Sequence, residues 1–116
     1  MPTVDIFQID AFADAVFRGN PAAVCPLDAW LPDDLMQAIA AENNLSETAF
    51  FVASGDGYDL RWFTPSLEVD LCGHATLASA FLILIWLSPG LDSVRFETRS
   101  GGLHVTRDGD RLFLDF

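Results

Sequence analysis

The sequence predicts an α+β fold in which a mostly antiparallel sheet wraps around a central buried helix. An apolar run over residues 71–87 is longer than an ordinary strand, and Ser88-Pro89-Gly90 ends it, which favours a helix. Because the run has almost no polar stripe, we expect this helix to be buried on all sides. The predicted strands are joined by hairpin turns, which is typical of an antiparallel sheet rather than of a doubly wound one.

The other elements follow from local patterns along the chain. Asn43-Asn44 suits the end of an amphipathic helix, and Ser54-Gly55-Asp56-Gly57 predicts a hairpin turn. Gly19-Asn20-Pro21 and Gly101-Gly102 predict turns between strands, and Pro26 restricts its strand to a sheet edge or a strand end. The predicted elements are strands at residues 3–12 and 22–27, a helix at 31–44, and strands at 48–53, 58–64, 93–98, 103–107 and 111–116.

Composition restricts the class of protein. A length of 116 residues is usual for a single domain, and a hydrophobic content of 51% is enough to build a core. The net charge of -11 argues against binding to nucleic acids and to anionic membranes, since both would repel the chain. All six basic residues are Arg, which excludes a Schiff-base lysine and the phosphate-binding lysine of a P-loop.

The N-terminal sequence and the cysteines indicate the compartment. Residues 1–5 contain neither the basic nor the apolar segment of a secretory signal, so we expect a cytoplasmic protein with Cys25 and Cys72 reduced. The apolar run of 17 residues includes His74 and lacks flanking basic residues. Spanning a bilayer takes about 20 apolar residues, so we expect no membrane helix.

Metal and cofactor sites are not expected. His74 and His104 are the only histidines, and Cys25 and Cys72 lack the spacing of metal ligands. The sequence has no GxGxxG, P-loop or GxSxG motif, which leaves nucleotide binding and hydrolase chemistry without support.

Glu47 is the first candidate for chemistry. It lies between a predicted helix end and a predicted strand, beside Ser46 and Thr48. A partly desolvated carboxylate there would suit an acid/base that transfers a proton. The alternative is an ordinary solvated loop glutamate, which is the more common situation for this residue type.

The segment from Asp70 to Thr76 is the second candidate. Gly73 allows the backbone to approach a ligand, and the free amides at a helix start form an anion site. His74 is suited to hydrogen bonding or to proton transfer. The alternative is a helix start packed by small residues, with His74 bonded to backbone. Cys72 is interpreted as a small core residue rather than a reactive thiolate.

Taken together, these residues resemble the PhzF-like phenazine biosynthesis family, whose fold is that of diaminopimelate epimerase. Three motifs in matching order and spacing carry the resemblance, which covers nearly the whole chain. They are DAF with FRGNPAAV at residues 10–12 and 17–24, NNLSETAF at residues 43–50, and RWFTPSLEVDLCGHATLA at residues 61–78.

The resemblance implies a cofactor-independent isomerase or epimerase with two similar halves, each a curled, mostly antiparallel sheet around a central helix. Its active site would lie in the cleft between the halves. Glu47 matches the carboxylate that removes and returns a proton. Gly73 and His74 match the residues that hold a substrate carboxylate, and Asn20, Asp70 and Ser46 match positions near the same cleft. The two-thiol mechanism of the related epimerases is not carried over, because Glu47 follows Ser46 here.

The resemblance also implies that residues 1–116 form a single N-terminal half-domain, with the C-terminal half absent. Leu112 to Phe116 reads as a strand, and the sequence stops inside it, so we expect a cut chain. The expected partners are a small carboxylate substrate, the missing half and a second copy in a homodimer. Two other hypotheses stay open: a catalytically silent half-domain that self-associates, and an acidic binding module without enzymatic ancestry.

Overall fold

The computed structural model describes residues 4–11, 20–70, 73–109 and 111–115. It shows a curled sheet with one helix inside the curl and one helix outside. The elements are β1 (Phe7–Ala11), β2 (Asn20–Leu27), α1 (Asp33–Asn43), β3 (Glu47–Ser54), β4 (Gly57–Phe63), β5 (Glu68–Val69), α2 (Gly73–Phe81), a π-helical segment (Leu82–Leu87), β6 (Ser93–Thr98), β7 (Gly101–Asp108) and β8 (Arg111–Asp115).

The strand order in the described chain is β1-β2-β3-β4-β6-β7-β8, and the short β5 pairs with β4. The β2–β3 and β4–β6 pairs are parallel, and the remaining pairs are antiparallel. Helix α2 packs against β1, β2, β3 and β8, so the sheet curls far enough for both of its ends to touch one helix. The predicted α+β class, with a mostly antiparallel curled sheet around a central helix, is confirmed.

The concave face of the sheet holds the larger core around α2. Strand alternation places Ala49 and Phe51 of β3 on this face, with Leu60 and Trp62 of β4 opposite them. The helix contributes small residues along its length, with Ala75, Ala78 and Ala80 buried. Small side chains allow the helix axis to come close to the curled sheet, which suits the inside of a narrow curl.

The convex face is covered by α1 over β2, β3 and β4. In its core, strand residues that alternate with the concave set pack against Met36 and Ala40 of α1, and these strand residues are Cys25, Phe50 and Phe63. The rings of Phe50 and Phe63 meet edge to face with centroids 5.5 Å apart. Helix α1 ends at Asn44, which adopts the left-handed conformation with φ 52°, as expected for a helix stop at this position.

The expectation that the central helix is buried on all sides is wrong at its far end. Residues 75–80 are buried, but Phe81 and Leu87 are exposed, and Trp86 is 70% exposed. The reason is geometric. The first turns lie inside the curl, whereas the π-helical segment continues past it and keeps only its Leu82–Leu84 side buried.

Two predicted turns are also wrong. Asn20 and Pro21 are the first residues of β2, where they pair with Ala11 and Asp10 of β1. Gly101 and Gly102 are the first two residues of β7, because the chain reverses direction at residues 99–100, just before them. Pro26 agrees with its prediction, since it lies beyond Val24, where the pairing with β1 stops. Gly19 lies outside the described residues.

Candidate active site

The start of α2 and the start of β3 lie at the same end of the curled sheet. The pairings of Ala22 with Glu47 and of Thr48 with Phe63 place the starts of β2 and β3 beside the end of β4. An ideal Cβ on Gly73 would lie 3.8 Å from Leu114 Cδ2, near the end of β8. We call this end, defined by Glu47 and Gly73, the site end.

The C-terminal end of the helical stretch lies at the opposite end of the sheet. The Arg107 guanidinium donates a hydrogen bond of 3.4 Å from Nη1 to the carbonyl of Leu84. Arg107 pairs with Leu112 near the start of β8, which is the end of the sheet opposite Gly73. Helix α2 therefore runs away from the site end, and the amides of its first turn lie there.

Glu47 lies on the concave face. It precedes Ala49 by two residues, and Ala49 belongs to the core around α2. Successive side chains of a strand point to opposite faces, so Glu47 shares the face of Ala49 and of its register partner Ala22. Its side chain is half-buried and has no ion pair or hydrogen bond within the described residues. A carboxylate is thus presented inside the curl, at the end where the helix begins.

Local interactions fix the position of Glu47. The left-handed Asn44 ends α1, and the chain then turns through residues 45–46 into β3. The Asn43 side chain donates a hydrogen bond of 3.3 Å from Nδ2 to Thr48 Oγ1, next to Glu47. Ser46 is exposed in this turn. The end of one helix thus sets where β3 starts, and so where the carboxylate lies.

The predicted substrate contacts are placed as follows. Gly73 is half-buried and is the first residue of α2, and Asn20 is the first residue of β2, whose start is also at the site end. The side chains of Asn20 and His74, and the whole of Cys72, lie outside the described residues. The structure therefore brings the backbones of Asn20, Glu47 and Gly73 to one end of the fold.

Asp70 has partners that the sequence did not indicate. Its side chain is 77% exposed and lies 3.6 Å from Arg99 Nη1 through its Oδ1 atom. Its backbone carbonyl accepts a hydrogen bond of 2.6 Å from Ser100 Oγ. Asp70 therefore ties the connection before α2 to the turn between β6 and β7.

Trp62 is a residue that sequence reasoning missed. It belongs to the concave core and is 1% exposed. Its indole Nε1 atom is buried and has no hydrogen-bond partner in the described chain. The alternating run around Trp62 predicted a strand, but nothing in the run indicated an unpaired donor.

The described residues contain no metal site, no reactive thiol and no membrane-spanning helix. Within them, no group of three or more His, Cys, Asp or Glu side chains is arranged to hold a metal ion. Burial raises the pKa of the Cys25 thiol to about 12, which marks it as a packing residue rather than a nucleophile. No helix in the described ranges is long and apolar enough to cross a membrane.

Comparisons with known proteins agree with this architecture. The crystal structure of a phenazine biosynthesis protein of the PhzF family from Enterococcus faecalis superposes with a TM-score of 0.89 at 52% identity, over 94% of this chain and 42% of that one. A predicted epimerase from Pseudomonas aeruginosa superposes with a TM-score of 0.79 at 26% identity, over 97% of this chain and 42% of that one. The fold is thus that of PhzF and epimerase-like proteins.

Sequence comparison gives the same result. An uncharacterized isomerase of Pseudomonas aeruginosa is 64% identical over 111 residues, which are 96% of this chain and 43% of that protein. The chain thus spans less than half the length of this relative. The family described as phenazine biosynthesis-like protein matches residues 9–113. With nine-tenths of its length matched, the chain belongs to the phenazine biosynthesis-like family, PhzC-PhzF.

Proposed function

We propose that this chain is one half of an isomerase or epimerase in which Glu47 moves a proton on a carbon atom of a small carboxylate substrate. The observation that carries the proposal is the position of Glu47, half-buried on the concave face at the end where α2 begins. Relatives that are named isomerase and predicted epimerase support the reaction class.

The arrangement suits carbon acid chemistry. Removing a proton from carbon needs a base close to that carbon and a means of stabilising the enolate or carbanion that forms. Glu47 supplies the base. In an isomerisation it returns the proton to a different carbon on the same face of the substrate, and in an epimerisation the proton for the opposite face would come from the other wall of the cleft. The amides in the first turn of α2 supply the stabilisation, because they point at an anion bound there. Gly73 has no Cβ, so an anion can approach its backbone closely.

The remaining contacts extend this site. His74, Asn20 and Ser46 are proposed to bind the substrate beside Gly73, as the family resemblance implies. Asp70 is proposed to act at the edge of the site, where its ion pair with Arg99 and its carbonyl bond to Ser100 order the connection into α2. The substrate carboxylate would lie between this connection and Glu47.

We propose that a second half completes the cleft. The chain spans 43% of its Pseudomonas relative, so the rest of such a protein would provide the other wall of the site. Assembly into a homodimer is a further proposal. The comparisons do not favour a catalytically silent, self-associating half-domain. The helix-centred sheet and the family match over residues 9–113 count against an acidic binding module without enzymatic ancestry.

A chimera tests the function with both halves present. The 111 matching residues of the 64%-identical Pseudomonas relative are replaced by this chain. The chimera is then incubated in heavy water with a panel of small carboxylic acids, and deuterium incorporation at carbon is measured by mass spectrometry. We expect incorporation into at least one acid, with a rate reduced about a thousandfold or more by Glu47→Gln, since the amide cannot accept the proton.

Glu42→Gln is the matched control, because Glu42 is an exposed glutamate near the end of α1. It makes the same chemical change without touching the concave face, and its chimera should exchange at the unmodified rate. Full exchange in the Glu47→Gln chimera would overturn the proposal.

A further inference from the structure

The indole of Trp62 presents a polar hydrogen inside the concave core. The side chain is 1% exposed, and Nε1 has no acceptor in the described part of the chain. The indole N–H can only donate a hydrogen bond, so its partner must be an acceptor. Buried donors are nearly always paired in native proteins, and an exception needs an explanation. Trp62 therefore indicates a hydrogen-bond acceptor within reach of this position.

The sheet register identifies the neighbours of Trp62 on its own face. Trp62 pairs with Ala49 across the β3–β4 ladder, and its diagonal neighbours on β3 are Glu47 and Phe51. Diagonal neighbours on one face are about 7–8 Å apart at the backbone, which long and aromatic side chains can span. On the β5 side, the register partner of Trp62 is Val69. Glu47 is the only one of these neighbours with an acceptor in its side chain.

We infer that the Trp62 indole N–H donates a hydrogen bond to the Glu47 carboxylate and holds it in the orientation for proton transfer. The inference rests on the proposed role of Glu47 as the acid/base. Glu47 is half-buried and has no other partner among the described residues. As a diagonal neighbour on the same face, it lies within the distance that a long side chain spans. Hydrogen bonds to a charged acceptor are about twice as strong as neutral ones, which favours this pairing. Trp62 is then a positioning residue for the catalytic carboxylate.

The geometry gives Trp62 a role that fits its burial. A glutamate has three rotatable side-chain bonds, and without a partner it samples many positions that do not face a substrate carbon. A donor on a packed, immobile ring restricts that sampling. Because Trp62 is fixed between β3 and β5, it can orient Glu47 without itself touching the substrate.

Nuclear magnetic resonance tests the contact directly in the 116-residue chain. The chain has three tryptophans, so its indole region contains three N–H signals, and Trp30→Phe and Trp86→Phe variants assign them. We expect the Trp62 signal to move upfield in Glu47→Gln, since a neutral amide oxygen is a weaker acceptor. The Trp30 and Trp86 signals should stay in place, and Glu42→Gln should leave all three unchanged. A Trp62 signal that is the same in both glutamine variants would overturn the inference.

A kinetic test uses the chimera described above. Trp62→Phe keeps an aromatic ring and removes the N–H, and we expect the deuterium incorporation rate to fall about tenfold with little change in KM. In the Glu47→Gln background, Trp62→Phe should cause no further loss, because the two residues act as one unit. Equal losses in both backgrounds would contradict the inference. The resonance shift does not depend on turnover, so it separates failure of this contact from failure of the proposed reaction.

Discussion

Arg61 donates two hydrogen bonds to the carboxylate of Glu68, from Nε to Oε2 and from Nη2 to Oε1, both 2.8 Å long. This paired geometry fastens β5 onto β4 at the start of the connection to α2. The remaining guanidinium nitrogen, Nη1, donates a hydrogen bond of 3.0 Å to Oδ1 of Asp33 in α1. Arg61 also lies 5.4 Å from the ring centre of Trp30. One side chain therefore joins the outer helix to the segment that leads into the site.

Replacing Arg61 with Lys should destabilise the fold. An ammonium group cannot make both bonds to Glu68 or stack on Trp30 in the same way. The Arg61 side chain is only 20% exposed, so we expect the free energy of unfolding to fall by about 1–3 kcal/mol in urea denaturation. Arg95→Lys is the matched control, because Arg95 pairs with Asp56 on the exposed surface. It should change stability by less than about 0.5 kcal/mol. Equal effects would contradict this role of Arg61.

Asp33 should make stability depend on pH. The hydrogen bond from Arg61, followed by the charge of Arg61, holds the pKa of the Asp33 carboxyl below its ordinary value of 3.8. A lowered pKa in the folded state stabilises the fold above pH 3.8, and this contribution is lost as pH falls through the lower value. Unfolding curves of the unmodified chain and of Asp33→Asn should therefore differ at about pH 6 and converge at about pH 2.

The same comparison in an Arg61→Met background isolates the ion pair. Without the guanidinium, the pH-dependent effect of Asp33→Asn should shrink to the smaller contribution of the Arg99 charge. The Asp33 side chain is exposed, so added salt should also reduce the difference at about pH 6. A difference that persists at about pH 2, or that is as large in the Arg61→Met background as in the unmodified chain, would show that Arg61 is not its main cause.

Local sequence patterns predicted the elements whose ends depend on local chemistry. The strand at residues 93–98 has the predicted bounds, the turn from Ser54 to Gly57 forms as expected, and Asn44 ends α1. The parallel pairs β2–β3 and β4–β6 were not predicted, because each joins strands that are separated by a helix. The exposure of Trp86 could not be read from hydropathy either, since it depends on where the sheet stops covering the helix.

The site was only partly accessible to sequence reasoning. Glu47 and Gly73 could be singled out because each residue type has a chemical property that its neighbours reinforce. The contact between Asp70 and Arg99 joins residues that are distant in sequence, so it needed the folded chain. Trp62 was hidden for the same reason. An unpaired indole N–H is a property of its packed surroundings rather than of the residue.

Cys25 should be inert in the folded chain. With its pKa raised to about 12 by burial, roughly one thiol in ten thousand is ionised at about pH 8, and the side chain is fully buried. In a Cys72→Ala background, mass spectrometry should find no iodoacetamide adduct on Cys25 in buffer and complete modification in concentrated urea. Equal labelling rates in buffer and in urea would show that Cys25 is accessible.

Gly73 and Gly57 should respond differently to replacement by Ala. A Cβ on Gly57 would lie 2.5 Å from the carbonyl oxygen of Arg95, which is closer than real Cβ contacts allow. Because backbone must move, Gly57→Ala should lower the free energy of unfolding by about 1–3 kcal/mol. A Cβ on Gly73 would meet Leu114 Cδ2 at 3.8 Å, an ordinary contact. Gly73→Ala should therefore retain stability, or gain up to about 1 kcal/mol as a better helix former.

Gly73→Ala, which should retain stability, should nevertheless lose activity. In the chimera, the Gly73→Ala methyl group occupies the space through which a substrate carboxylate approaches the first turn of α2, and we expect deuterium incorporation to fall about tenfold or more. Gly90→Ala is the control for both measurements, since a Cβ there meets no atom within 4 Å. Unchanged incorporation in a stably folded Gly73→Ala chimera would remove the start of α2 from the substrate site. The proposed acid/base role of Glu47 would then depend on a different anion contact, because its position on the concave face does not involve Gly73.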